Sequence, residues 1–202
     1  MPVIKEIHQD DNHIAIWQID ESESFLLGEL EHEVDLPVNK YRRLERLSVL
    51  NLLKQLGYGE KYSYETDGRP YLPTHDSHIS ISHAGNKVVV ATNAIRPVGV
   101  DIEHVQRNYK KIVSKYLTDR EMCHSTSYSQ NELSLIWCIK ESVYKLPWGV
   151  SKCFCTEIEV LVETEMLYRG WCTVKVKHEG DWKYLKAFFE YIDDFCLTWI
   201  NL

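Results

Sequence analysis

Leucines and an aromatic recur every three or four residues between Lys40 and Gln55. Tyr41, Leu44, Leu47, Leu50 and Leu53 share one stripe, and Gly57 stands where a C-terminal cap belongs, so the spacing predicts an amphipathic helix. A second helix is predicted over residues 130–146. Ser129 followed by Glu132 is a capping-box start, Pro147 is a stop, and Leu135, Ile139, Val143 and Leu146 form its apolar face. Shorter helical signals begin at Ser22, run over 109–116, and begin again at Thr118 with Glu121 three residues on. Strands are predicted at 13–18, 79–82, 87–92, 157–162, 172–178, 184–191 and 195–200, with a hairpin through Ala84-Gly85-Asn86 and a turn at Asp193-Asp194. In Pro97 to Glu103 the residues Val98, Val100 and Ile102 alternate with Gly99, Asp101 and Glu103, the pattern of a strand with one buried face. Residues 93–97 form a plausible seam, dividing the chain into 1–96 and 97–202.

The candidate chemistry sits on two of these elements. On the strand, Asp101 and Glu103 project from the same side, about 7 Å apart by strand rise. On the later helix, Trp137, Glu141 and Lys145 lie four apart on one stripe. An isolated E-x-x-x-K is a surface ion pair, and an isolated D-x-E is a solvated face. Three carboxylates with a lysine beside them form instead a set of oxygen donors suited to Mg²⁺, which takes carboxylates, water and substrate phosphate. Lys140 points about 100° away from Glu141 and has a supporting or structural role, while Trp137 packs the helix onto the strand. On the first long helix Arg42 and Arg46 lie one turn apart. They form either a solvated basic face or a seat for phosphate.

Composition narrows the field. The net charge of the 202 residues is −7, which argues against nucleic acid as a general partner. No apolar run approaches the length of a membrane span, and the N-terminus has no signal-peptide core. Six cysteines at irregular positions read as reduced thiols in the cytoplasm. Cys153 and Cys155 have no partner pair at zinc spacing.

Gly99-Val100-Asp101-Ile102-Glu103 and Trp137 to Lys145 resemble the two signature motifs of the 4′-phosphopantetheinyl transferases, in the same order and spacing. Ile81-Ser82-His83-Ala84-Gly85 resembles that family's third motif, and Gly68-Arg69-Pro70 its G-K-P segment, with Arg69 in place of lysine. The resemblance spans roughly residues 40–150. The chain length is similar to that of the larger, pseudo-dimeric (Sfp-type) branch. The fold it implies is α+β: two similar α/β lobes about a pseudo-twofold axis, each an antiparallel sheet packed on a long helix. The implied activity is transfer of the 4′-phosphopantetheine of coenzyme A to a serine of an apo acyl or peptidyl carrier protein by a monomeric enzyme with no membrane or nucleic-acid partner.

By the same resemblance, Asp101, Glu103 and Glu141 hold Mg²⁺ (or Mn²⁺), and Glu141 or a water on the ion takes the serine proton. Lys145 stabilises the leaving adenosine 3′,5′-bisphosphate. Arg42, Arg46, Arg69, Ser82 and His83 contact coenzyme A from the first lobe, and Glu121 falls near the metal site, although capping alone also explains it. Two rival readings use the same residues: a non-catalytic module binding coenzyme A or a carrier protein, and a Mg²⁺-dependent hydrolase of nucleotide pyrophosphates.

Overall fold

The computed structural model describes residues 3–163 and 166–202. The chain divides into two compact units, Met1–Arg96 and Pro97–Leu202.

The first unit opens with a hairpin of β1 (Val3–Gln9) and β2 (Asn12–Gln18), followed by α1 (Glu23–Gly28) and α2 (Lys40–Gln55). Four strands complete it: β3 (Ser63–Tyr64), β4 (Pro70–Tyr71), β5 (His78–Ala84) and β6 (Lys87–Asn93). The sheet order is β1-β2-β6-β5-β4-β3, with every pairing antiparallel. Asn39 caps the start of α2 by accepting from the Tyr41 and Arg42 amides. Its end is closed by Gly57 at φ +83°, whose amide donates to the Lys54 carbonyl while that of Tyr58 donates to Leu53. Leu47, Leu50 and Leu53 are buried as the stripe requires, but Tyr41 is exposed, so the packed part of α2 is its second half. These leucines meet Trp17, Ile79, Val88 and Val90 of the sheet.

The second unit begins with β7 (Val98–His104), a 3-10 turn at Tyr109–Lys115, α3 (Asp119–Met122) and the long α4 (Gln130–Tyr144). It continues through α5 (Phe154–Glu157), β8 (Ile158–Leu161), α6 (Met166–Arg169), β9 (Trp171–His178), β10 (Asp181–Ile192) and β11 (Phe195–Asn201). The sheet order is β7-β11-β10-β9-β8, again antiparallel throughout. Two-residue turns close both long hairpins, with Glu179 and Gly180 in one and Asp193 in the other at positive φ. The helix predicted over 109–116 is thus a 3-10 segment.

Both α3 and α4 begin in complete capping boxes, Thr118 with Glu121 and Ser129 with Glu132. Leu135, Ile139, Val143 and Leu146 are all fully buried, joined by Leu133 and Ile136, and pack on Val160, Val174, Val176 and Phe189. Each unit is therefore one antiparallel sheet flanked by helices, one of them long.

Candidate functional site

Strand β7 differs from the expected pattern in having both faces buried, from Val98 through Ile102. The cause is α4, which lies directly on the Gly99–Asp101–Glu103 face. A Cβ on Gly99 would collide with the Ser142 carbonyl oxygen and reach 3.0 Å from the carbonyl carbon, so only glycine admits the helix this close. The contact is reinforced from β11, where the Thr198 hydroxyl, paired in register with Asp101, lies 2.6 Å from the Ser142 hydroxyl and donates to the Cys138 carbonyl. At the other end, Gln130 in the first turn of α4 donates to the Val105 carbonyl, anchoring the helix start to the exit of β7.

Strand and helix run in opposite directions, so their motif residues meet in order. Lys145, the C-cap of α4, donates to Asp101 Oδ1 at 2.8 Å and to the Val100 carbonyl at 2.7 Å. Trp137, two turns earlier, donates its indole N–H to Glu103 Oε1 at 2.8 Å, and the same oxygen accepts from Arg107 at 2.7 Å. Glu141 sits between these two pairs on the helix stripe. Burial pushes its carboxyl up to about 7, and the Asp101 and Glu103 carboxylates add to that rise against the opposing pull of Lys145 and Arg107. Burial, then Asp101, also raises Glu103. Asp101 is thus close enough to both Glu103 and Glu141 to raise their proton affinity, and Glu103 close enough to raise that of Glu141. Their oxygens do not converge within 4.8 Å, and the Lys145 ammonium stands beside Asp101.

The donor set fits a hard divalent cation. All three groups offer oxygen, two come from one rigid strand and one from a helix, and their mutual repulsion is what a cation relieves. Trp137 and Arg107 both donate to Glu103 Oε1 and so fix the orientation of its carboxylate. Trp137 therefore does more than pack. Its ring meets Tyr116 and Phe154 edge-on while its N–H aims a carboxylate.

Lys140 points away from this stripe, about 100° round the helix from Glu141, and is fully buried. Its ammonium donates to Glu121 Oε2 and the Tyr116 carbonyl at 2.6 Å and to the Phe154 carbonyl at 3.1 Å. Glu121, itself 2 % exposed, also accepts from the Thr118 and Val160 amides. This ion pair ties the 3-10 turn, α3, α4, α5 and β8 together. Glu121 is a structural hub with the capping role, and its partners are all structural.

In the first unit, the Arg42 guanidinium lies 2.6 Å from His83 Nε2 and 2.9 Å from Glu45, whose other oxygen is 3.3 Å from His83 Nδ1. Arg42 and His83, 41 residues apart, are therefore one cluster at the end of β5, with the buried Ser82 beside it. Arg46 points elsewhere. Its guanidinium lies over the Tyr62 ring, lining a cavity of about 530 Å³ with Leu50, Tyr58 and Lys61. The two arginines have separate surroundings rather than one shared seat. Arg69 follows the turn at Gly68 (φ +85°) and is held by Asp67, whose carboxyl the Arg69 amide and guanidinium keep below its usual range.

Residues 97–158 match the family model of the 4′-phosphopantetheinyl transferase superfamily. The match covers fewer than a third of the 202 residues, but it contains Asp101, Glu103, Glu121, Trp137, Glu141 and Lys145 together with the elements that position them. It supports an enzymatic role of the phosphopantetheinyl-transferase type in general. No curated protein matches the chain. Among the described residues no helix is long and apolar enough to cross a membrane, and all six cysteines are free.

Proposed function

We propose that the chain is a 4′-phosphopantetheinyl transferase of the larger, pseudo-twofold branch. It moves the phosphopantetheine of coenzyme A to a serine of an apo acyl or peptidyl carrier protein, acting as a cytoplasmic monomer. The observation that carries this reading is Glu141, a half-buried carboxylate whose proton affinity is raised by burial and by Asp101 and Glu103, with a lysine one turn away on the same helix. Such an arrangement costs stability unless a cation and an anionic substrate complete it.

Asp101, Glu103 and Glu141 would hold Mg²⁺, with Mn²⁺ as an alternative. The ion supplies neutralisation of pyrophosphate charge, the main requirement of phosphoryl transfer. The chain's residues do the rest. The serine oxygen forms a bond to the β-phosphorus of coenzyme A as the bond to the bridging oxygen breaks. Adenosine 3′,5′-bisphosphate leaves with that oxygen. Glu141 or a water on the ion would accept the serine proton; the cation lowers the proton affinity of a carboxylate beside it, which favours the water. Lys145 exchanges Asp101 for the leaving phosphate. Arg42, Arg46, Arg69, Ser82 and His83 are assigned to phosphate and nucleotide contacts; of these, the Arg42–His83 pair carries a guanidinium suited to an anion.

The test is a single-turnover reaction with coenzyme A, Mg²⁺ and an apo carrier protein, following adenosine 3′,5′-bisphosphate by chromatography. Release only when the acceptor is present supports the transferase. Release without acceptor identifies a pyrophosphate hydrolase, and tight binding of coenzyme A without release identifies a binding module.

A further inference from the structure

The β1–β2 hairpin carries a side-chain cluster unrelated to the carboxylates of the second unit. Its turn, Asp10-Asp11, has both residues in the left-handed region (φ 49° and 62°), the geometry of a two-residue hairpin that fixes register. Counting from the closing pair Gln9–Asn12, His8 and His13 face each other in the next, non-hydrogen-bonded position, where side chains approach most closely. Their rings stack with centroids 4.1 Å apart. Glu6 lies two residues before His8 on the same face, opposite Ala15, whose small side chain leaves the carboxylate room to lean towards the histidines. Glu6 Oε2 sits 2.8 Å from His13 Nε2 and 3.8 Å from His8 Nε2, and one ligand atom from each of the three residues lies within 4.8 Å of the others.

We propose that Glu6, His8 and His13 form a three-ligand site for a divalent transition-metal ion of the Zn²⁺ class. The argument is geometric and chemical. Bonds of about 2.0–2.1 Å in a tetrahedral site put neighbouring ligand atoms roughly 3.3 Å apart, a value bracketed by the two distances from Glu6. The backbone is already set by the hairpin, and the His8 and Glu6 side chains are 69 % and 42 % exposed, so only rotamer changes are needed to aim the two ring nitrogens at one point. Two imidazoles and one carboxylate suit Zn²⁺, Ni²⁺ or Cu²⁺ and disfavour Mg²⁺, which requires oxygen donors. The fourth position faces solvent and takes water. Because β1 is an edge strand, paired among the described residues with β2 alone, an ion here clips that edge to the sheet.

The test is calorimetric titration of the full-length protein with ZnCl₂ in excess Mg²⁺, comparing wild type with His8→Ala, His13→Ala and the double variant. Thermal unfolding is followed in parallel. The proposal expects one Zn²⁺ equivalent whose affinity falls at least tenfold in each single variant and is lost in the double. It also expects a Zn²⁺-induced rise in unfolding temperature for wild type alone. An unchanged equivalent in the double variant would assign binding to the free cysteines and overturn the proposal, as would the absence of any Zn²⁺ binding. The histidine ring resonances of wild type, followed by NMR during the same titration, give a readout independent of how the variants fold: shifts confined to His8 and His13 support the site, and their constancy refutes it. None of these readouts depends on transferase activity.

Discussion

Replacing Glu141 with glutamine should flatten the pH dependence of the protein's stability. Folding lifts the Glu141 carboxyl from an ordinary 4.5 to about 7, first by burial and then by the Asp101 and Glu103 carboxylates. A carboxyl raised in this direction favours the folded state when protonated. Its contribution is fully present below 4.5 and is lost as the pH rises through about 7. At about 1.4 kcal/mol per pH unit that interval corresponds to roughly 3 kcal/mol, and solvent screening on the open side of the group reduces it to about 2 kcal/mol. Urea unfolding in EDTA between pH 5 and 8 measures it. The wild type should lose about 2 kcal/mol more than Glu141→Gln across this range, and Mg²⁺ should restore most of the difference at pH 8. Parallel stability curves for the two proteins in EDTA would refute the reasoning, because they would mean that Glu141 is solvated and does not feel its neighbours.

Three further outcomes are expected. Lys140→Met leaves the Glu121 carboxylate buried without its ammonium and should cost about 3–5 kcal/mol in urea unfolding; a loss below about 1 kcal/mol would mean the pair is not buried as described. Gly99→Ala forces α4 off β7 and should destabilise by about 3 kcal/mol, with weaker Mg²⁺ binding by calorimetry; wild-type values for both would show that the helix does not rest on that glycine. Trp137→Phe keeps the ring and removes the hydrogen bond to Glu103, so Mg²⁺ affinity should fall about tenfold or more while stability drops by about 1 kcal/mol; unchanged Mg²⁺ affinity would remove Glu103 from the proposed site.

Local rules explain how much of this was legible in the sequence. Ser129 with Glu132, Thr118 with Glu121, and Gly57 after Gln55 each announce a helix end through contacts within a few residues, and the structure places ends there. The edge strand Val3–Gln9 escaped notice. Its outer face carries Ile4, Glu6 and His8, a bulge between Val3 and Lys5 breaks its register, and its turn is an Asp-Asp pair rather than the usual Asn-Gly. At the candidate site, helical spacing predicted the Trp137–Glu141–Lys145 stripe and the divergence of Lys140. It could not reveal partners 34 or 19 residues away, so the Trp137–Glu103 hydrogen bond and the Lys140–Glu121 ion pair emerge only from the fold. Alternation alone puts Gly99 on the polar face of β7, whereas its role is to be small enough for α4 to rest on it. Helical spacing sets Arg42 one turn from Arg46, but it could not show that Arg42 meets His83 from β5 while Arg46 lies over Tyr62.

The most direct test of the transferase reading is the intact mass of an apo carrier protein incubated with coenzyme A, Mg²⁺ and this protein, wild type or Asp101→Ala. The account predicts a phosphopantetheine increment on the carrier serine with the wild type and none with the variant, both proteins unfolding cooperatively. No increment on any fatty-acid, polyketide or peptide carrier with the folded wild type, or full modification by the Asp101→Ala variant, would contradict it.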